Sequence, residues 1–530
     1  MQKKAIRQII GLVLSLVMLS AFIGCSKNSP ETSNPKPKES AKKGTDAKDT
    51  EKGKESLKFS YMSSIWGVHP QDGTPIFDEL MKRTNTEIDF RWYPTDQYEE
   101  KVTVTLGSDD MPDVLAGGGT AKLVDEGAIL PLDDLLESHG KNILAQLTDD
   151  DYPYMRSAMD GHIYTVPFIL DFPPAYAMQI RKDWLDNVGI EKAPETWDEW
   201  KTVWKAFKDQ DANKDGDATN EIPYAGDVYG LLPAFGINVS NKIGFTVDSG
   251  GKYTLMYGMP EFRTFLKEMQ SMYKEGLLDK EFATRGTYVD NPELEKVLSA
   301  NLVGSTMTWA ANTRTSTEVM REVEPKAAMI GVPPIKGPDG KQGIPSRVRV
   351  SPTASITIAG EDKAEQIIDF YNYVFSEDGI KLMSYGLEGT HHEIRDSRPV
   401  LKEPYINSFD DARKAGLNFT PFPHLFTEDA YMQITTGGKA YEELTEPMQY
   451  FYDALYAGQD FFFTPIPTLT TDAYSEKQAD IMPKLEAMVA QCVIGELSVD
   501  DFYKEYDKLK PIGLQDILDQ GEEAWKKISK

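Results

Sequence analysis

Cysteine is nearly absent from this chain: 530 residues contain two, Cys25 and Cys492. At most one disulfide is therefore available, and a disulfide-stapled scaffold is excluded. Histidine is scarce too, with six. The adjacent pair His391 and His392 lies in HHEIRD, where Asp396 stands in the place of the second histidine of HExxH, so a zinc-protease pattern fails. The chain has no GxSxG elbow and no phosphate-cradling P-loop. Positive charge is in deficit, 57 Lys and Arg against 84 Asp and Glu, a net charge of -27. Such a surface repels nucleic acid and anionic lipid. The same surplus makes any single carboxylate pair uninformative about glycosidase chemistry. No internal repeat of fixed period is visible.

What is present begins with the first 25 residues. Lys3, Lys4 and Arg7 precede an apolar stretch from Ile9 to Ile23 that is short for a spanning helix. This is the pattern of a secretory signal. The box AFIGC resembles a bacterial lipoprotein processing site. That resemblance implies that Cys25 is acylated, with palmitate-type chains, and becomes the first mature residue. Loss of residues 1–24 removes three positive charges and leaves a net charge near -30. An ordinary cleaved signal with a stray cysteine is the alternative. Residues 26–56 hold no aromatic and no branched aliphatic side chain, so they cannot form a core and read as a flexible tether. Cys492 shares a helical face with Ile481, Leu485, Met488, Val489 and Val493, which predicts a buried core position.

From Leu57 onward the pattern is mixed α/β. LKFSYM and EIDFRWY alternate as half-buried strands do, with PIFDELMKRTN as a helix between them. MPDVLAG and GHIYTVPF read as short strands, and the strand–helix–strand rhythm predicts a mainly parallel sheet. QIRKDWLDNVGI reads as a helix, with Ile180, Trp184, Leu185 and Val188 on one face. APETWDEWKTVWKAF has the strongest helix start, Thr196 capping and Glu199 reciprocating. Its stripe of Trp197, Trp200, Val203, Trp204 and Phe207 predicts core packing more strongly than sugar stacking. DSGGKYTLMYG reads as a hairpin, PEFRTFLKEMQSMYKEG as a long helix, and two helical stretches close the chain. At 530 residues more than one lobe is expected.

DANKDGDATNEIP concentrates hard oxygen ligands. Asp211, Asn213, Asp215 and Asp217 fall at positions 1, 3, 5 and 7, and Gly216 at 6 permits the sharp turn of a calcium loop. Glu221 stands at position 11, where an EF-hand has glutamate at 12, and EIPYAGDVYG starts no exit helix. An ion-free polar turn is the bland alternative.

In order and spacing, MPDVLAG, GHIYTVPF, IRKDWLDNVGIEKAPETWDEW, DANKDGDATNEIP, FLKEMQSMYKEGLLDKEF, AEQIIDFYNYVFSEDGIKLMSYGLEGTHHEI and VIGELSVDDFYKEYDKL resemble the extracellular solute-binding proteins of bacterial ABC importers. The likeness is to the large lipoproteins that bind oligosaccharides, and it spans roughly residues 57–525. It implies a two-lobed periplasmic-binding-protein-like α/β fold with crossover hinge strands and a helix-rich second lobe. The expected division is 1–24 signal, 25–56 lipid-anchored tether, 57–175 with 301–360 as lobe 1, and 176–300 with 361–530 as lobe 2. The resemblance also implies a structural Ca2+ held by Asp211, Asn213, Asp215, Asp217 and Glu221, in a loop one residue longer than its relatives have. The expected partners are an oligosaccharide, the ABC permease subunits and the membrane through the anchor, with no nucleic acid and a monomeric state. A secreted lyase or glycosidase, or a peptide-binding relative, is the rival reading.

Sugar sites combine aromatic faces with groups that bind hydroxyls. Trp66 and Trp309 end strand-like segments, where α/β clefts form. Phe235 is a further stacking candidate. His391 and Glu388 lie beside Gly386 and Gly389, and Arg347 and Arg349 in PSRVRV suit an acidic sugar.

Overall fold

The computed structural model describes residues 56–65, 74–108, 110–117, 120–171, 176–239, 242–285, 292–345, 348–406, 408–419 and 421–529. The signal segment, Cys25, the tether up to residue 55, Trp66 and Arg347 lie outside the described residues.

Two sheets are built from nine strands: β1 (Leu57–Ile65), β2 (Thr86–Pro94), β3 (Val114–Ala116), β4 (Val166–Leu170), β5 (Tyr176–Arg181), β6 (Ser305–Trp309), β7 (Met329–Val332), β8 (Val350–Ile356) and β9 (Leu425–Phe426). The first sheet has the order β9-β4-β8-β3-β1-β2. Its pairings are parallel, as expected, except those of β8, which runs antiparallel to β3 and β4. β8 begins at Val350 opposite Ile169, at the end where β4 leaves the sheet, so its direction is reversed. Alternation along β1 explains the two faces: Phe59 and Tyr61 join one core, while Met62 joins Tyr98, Leu115 and Leu123 on the other side.

The second sheet, β6-β5-β7, is antiparallel throughout. Here the expected helix over QIRKDWLDNVGI divides. Tyr176–Arg181 is the central strand and only Lys182–Asn187 is helical. Ile180 and Trp184 keep helical spacing, but pairing to strands on both edges satisfies the backbone of 176–181 and decides its conformation. Around this sheet lies the larger core. The helix Trp197–Asp209 opens with the expected capping box, and Trp197, Trp200, Val203, Trp204 and Phe207 are all buried. Burial of each such side chain contributes on the order of 2–3 kcal/mol. The three tryptophans are therefore core, not stacking platforms. Cys492 is fully buried in the same core, and burial pushes its thiol up to about 11.

The two main cores draw on 59–170 with 350–434, and on 178–335 with 469–528. β6 and β7 pair with β5, and Met307, Ile330 and Val332 pack in the second core. Ala364–Val374 and Glu377–Tyr385 pack on the first. Three helices close the chain, Asp472–Ile494, Val499–Leu509 and Leu514–Ile528, where two stretches were expected. The chain passes between the cores after β4, before β8, and again beyond the helix Glu428–Thr436. Among the described residues no helix is long and apolar enough to cross a membrane.

Candidate functional site

A groove of about 930 Å³ runs between the two cores. One wall comes from the run 149–156: Asp149, Asp150, Tyr152, Pro153, Tyr154 and Arg156. The other comes from Phe462, Thr464, Ile466 and Pro467, with Trp525 and Ile528 of the last helix. An adjoining cavity of about 160 Å³ shares Pro153, Tyr154, Arg156 and Pro467, and reaches Tyr164 and Thr165.

The first wall is fixed through Asp151. Its Oδ2 accepts from the Thr148 backbone N–H at 2.8 Å, the Thr148 hydroxyl at 3.0 Å and Arg349 Nη1 at 2.9 Å. Arg349 also donates to the Gln146 carbonyl at 2.8 Å. The pinned turn leads into the short helix Tyr152–Met155. Met155 is buried in the first core, which leaves Tyr152 and Tyr154 half-buried on the groove side. The second wall is organised by Tyr253. Its ring stacks on Trp525 with centroids 5.9 Å apart. Its hydroxyl donates to the Pro467 carbonyl at 3.0 Å and accepts from the Leu469 N–H at 3.1 Å. Gly521 lets the last helix approach, since a Cβ there would lie 2.8 Å from the Tyr253 ring.

The groove thus combines aromatic faces with unused hydrogen-bonding groups. Among the described residues, the side chains of Tyr152, Tyr154, Trp525 and Arg156 make no hydrogen bond to protein, and Arg156 makes no ion pair. The Arg156 guanidinium lies 5.5 Å over the Tyr152 ring. The Thr165 hydroxyl is buried without a partner. Flat apolar faces beside unpaired donors suit a ligand that is apolar on its ring faces and polar at its edges.

Of the residues singled out from sequence, Trp66 and Arg347 lie outside the described residues, and Phe235, His391, Glu388 and Trp309 are not groove walls. Phe235 is buried, edge-on to Trp197 at 5.0 Å and to Phe265 at 5.6 Å. His391 is buried against Tyr405, and its Nδ1 accepts the Leu387 N–H at 3.0 Å. Burial lowers its pKa, which keeps that acceptor neutral. Both are occupied by packing, and neither lines the groove. Glu388 is exposed on a turn. Trp309 is half-buried at the end of β6, tilted against Tyr176 at 5.1 Å, and is not part of the groove walls. Arg349 is held by Asp151 and Asp171. Sequence reading missed the groove residues. The signal was there in DDDYPYMR, two tyrosines around a proline between an acidic turn and an arginine.

The loop 211–221 follows the tryptophan helix and is no groove wall. Asp211, Lys214 and Gly216 have positive φ, 94° at Gly216, where glycine carries no Cβ penalty. The amides of Asn213 and Asn220 both donate to Asp215 Oδ2, at 2.9 and 2.7 Å. Asp217 turns back to the Thr219 hydroxyl at 2.6 Å. Among the described residues no group of three or more His, Cys, Asp or Glu side chains gathers as a metal cluster. Glu221 is the exception to this local satisfaction. It is buried, and neither carboxylate oxygen has a partner. Burial raises its pKa, with the nearby Asp211 and Asp215 adding to it; its own and the Ala212 backbone N–H, too poorly aligned to count as hydrogen bonds, offset this only in part.

Comparison with known proteins accords with this architecture. The family model of the bacterial extracellular solute-binding proteins matches residues 71–381. The chain is 25% identical over 537 residues to the polygalacturonan/rhamnogalacturonan-binding protein YtcQ of Bacillus subtilis (strain 168), covering 98% of each. The fold matches the alginate-binding protein AlgQ2, solved without calcium ion, at a TM-score of 0.66 and 24% identity, over 89% of this chain and 98% of that one. An EF-hand mutant of the S. pneumoniae substrate-binding protein FusA, in complex with fructo-nystose, matches at 0.63 and 21%, over 88% and 99%. The matched span exceeds half of the chain, and the protein belongs to the bacterial extracellular solute-binding protein family.

Proposed function

We propose that this protein is the substrate-binding lipoprotein of an ABC importer, which captures an oligosaccharide between its two lobes and delivers it to the permease subunits. The observation that carries this reading is the groove, with Tyr152 and Tyr154 on one wall, Trp525 on the other, and unpaired donors between them. Relatives point the same way: YtcQ is named for polygalacturonan and rhamnogalacturonan, and FusA as a fructooligosaccharide ABC transporter substrate-binding protein. The names differ in the sugar, so they support the ligand class rather than its identity.

In this reading the work is binding. Aromatic faces take the sugar rings, while Tyr152, Tyr154, Arg156 and the Trp525 indole N–H take their polar edges. Contacts from both walls exist only when the lobes are together, so the ligand favours the closed form. Tyr253 is a positioning residue for the second wall. The protein performs no bond chemistry, acts as a monomer, and is held outside the cell membrane by acylated Cys25. LipO of Bacillus subtilis (strain 168), 26% identical over 471 residues, is itself named a lipoprotein.

The loop 211–221 belongs to the same reading as a structural calcium site. The orphaned, buried carboxylate of Glu221 beside Asp211 and Asp215 is the feature that fits an ion, which would supply the missing partner and offset the mutual repulsion. Asp211, Asn213, Asp215, Asp217 and Glu221 are the residues to hold it. The test of the whole reading is incubation with an oligosaccharide panel, following both heat of binding and new reducing ends. Binding without new ends is expected. Turnover would establish an enzyme instead.

A further inference from the structure

We infer that the ligand carries a carboxylate and that Arg156 is its anchor, so the groove selects an acidic oligosaccharide. This deepens the reading of the groove as the sugar site and rests on it. Arg156 is the sole cation among the described residues lining the groove and its adjoining cavity, and it sits where the two join. Its Nε is buried and unpartnered, and no carboxylate pairs with it.

The neighbouring cations are engaged. Arg349 is held by Asp151 and Asp171, Lys526 by Glu522 and Lys527 by Glu523. In a chain with 27 more acids than bases, an arginine left unpaired in an inter-lobe groove is a poor choice for stability alone. The guanidinium fork matches a carboxylate in two parallel hydrogen bonds, which a neutral hydroxyl does not reproduce. The contact with the Tyr152 ring limits the positions of the fork and pre-organises it. Asp149 and Asp150 also line the groove, but both are exposed, so solvent screens them. They accept from sugar hydroxyls at the outer end, while the acidic unit lies inward at Arg156.

The test is titration calorimetry on the full-length protein. The probes are α-1,4-linked trigalacturonate and trimannuronate, their methyl esters, and neutral gluco-, manno- and fructo-trisaccharides. Esterification keeps the skeleton and removes the charge. Wild type is expected to bind at least one acid about 10- to 100-fold more tightly than its ester. Arg156→Gln should cost the acid about 10- to 100-fold and the ester much less, so that the preference for the acid is lost, with Arg156→Lys intermediate. Thermal unfolding of each variant checks that it folds; the ester comparison in wild type stands without any variant. Tight binding of a neutral trisaccharide with no preference for an acid would overturn this inference and leave the groove reading standing. Equal losses for acid and ester in a folded Arg156→Gln would also overturn it. Failure of every sugar to bind would overturn the inference and the groove reading together.

Discussion

Glu221 allows a test of the calcium proposal in which two signs must come out right. Its carboxylate is buried with both oxygens unpartnered. Leaving such a group ionised and unsatisfied costs about 1–3 kcal/mol. Because burial and the two aspartates raise its folded pKa, the folded state holds a proton that the unfolded chain releases. Without calcium, stability should therefore fall as pH rises from the ordinary carboxylate range through the raised folded value. With calcium the sign reverses, because the ion needs the deprotonated form, and its stabilisation grows over the same window. Glu221→Gln removes the charge. In chelator it should be more stable than wild type by up to the same 1–3 kcal/mol, and it should lose most of the calcium response. At about 2.1 cal/mol/K per residue over roughly 470 residues, the unfolding entropy is about 1 kcal/mol/K, so the shift is about 1–3 °C. Calcium at about 100 times its Kd adds about 2.7 kcal/mol to wild type, near 3 °C. Scanning calorimetry of both proteins, near pH 5 and near pH 8, in chelator and in calcium, gives the comparison. A wild-type Tm indifferent to chelation, or a Glu221→Gln variant with the full response, would refute the reasoning.

Other predictions concern the cores and the groove. Trp204 donates its indole N–H to Ser305 Oγ at 2.8 Å, and that hydroxyl donates to the Pro223 carbonyl at 2.6 Å. Ser305→Ala orphans both buried groups and should cost about 1–3 kcal/mol in urea unfolding; a loss near zero would mean that the link carries no energy. Tyr253→Phe keeps the ring stack but frees 467–469, so oligosaccharide affinity should fall more than Tm does. Trp525→Ala should weaken affinity about threefold to tenfold. Trp309→Ala, away from the groove walls, should leave affinity near wild type; the reverse ranking would move the site to the Trp309–Tyr176 pair.

Much of the fold was legible because its signals are local. The alternation of LKFSYM, the Thr196 and Glu199 capping pair and the Gly276 helix stop each act within a few residues, and each stands in the structure as expected. The split of QIRKDWLDNVGI was not legible. Its strand half exists because β6 and β7, more than 100 residues on, flank it. The same pairing sets β6 and β7 beside β5, which the sequence order conceals. The groove was hidden for a similar reason. Tyr152 and Trp525 are 373 positions apart, and neither pattern of spacing nor local chemistry links them. Phe235 and His391 looked available as single residues, but Trp197 and Phe265 pack on the first, and the fold of 386–405 closes over the second. The loop 211–221 sits between these cases. Its ligand spacing was visible, while the unpartnered state of Glu221 depends on packing that no spacing reports.

The most direct test of the central claim is a structure of the protein with a bound oligosaccharide. An intact sugar is predicted in the groove, its rings against Tyr152, Tyr154 and Trp525, with both lobes in contact. A sugar seated elsewhere, contacts from one lobe only, or a cleaved product would contradict the account.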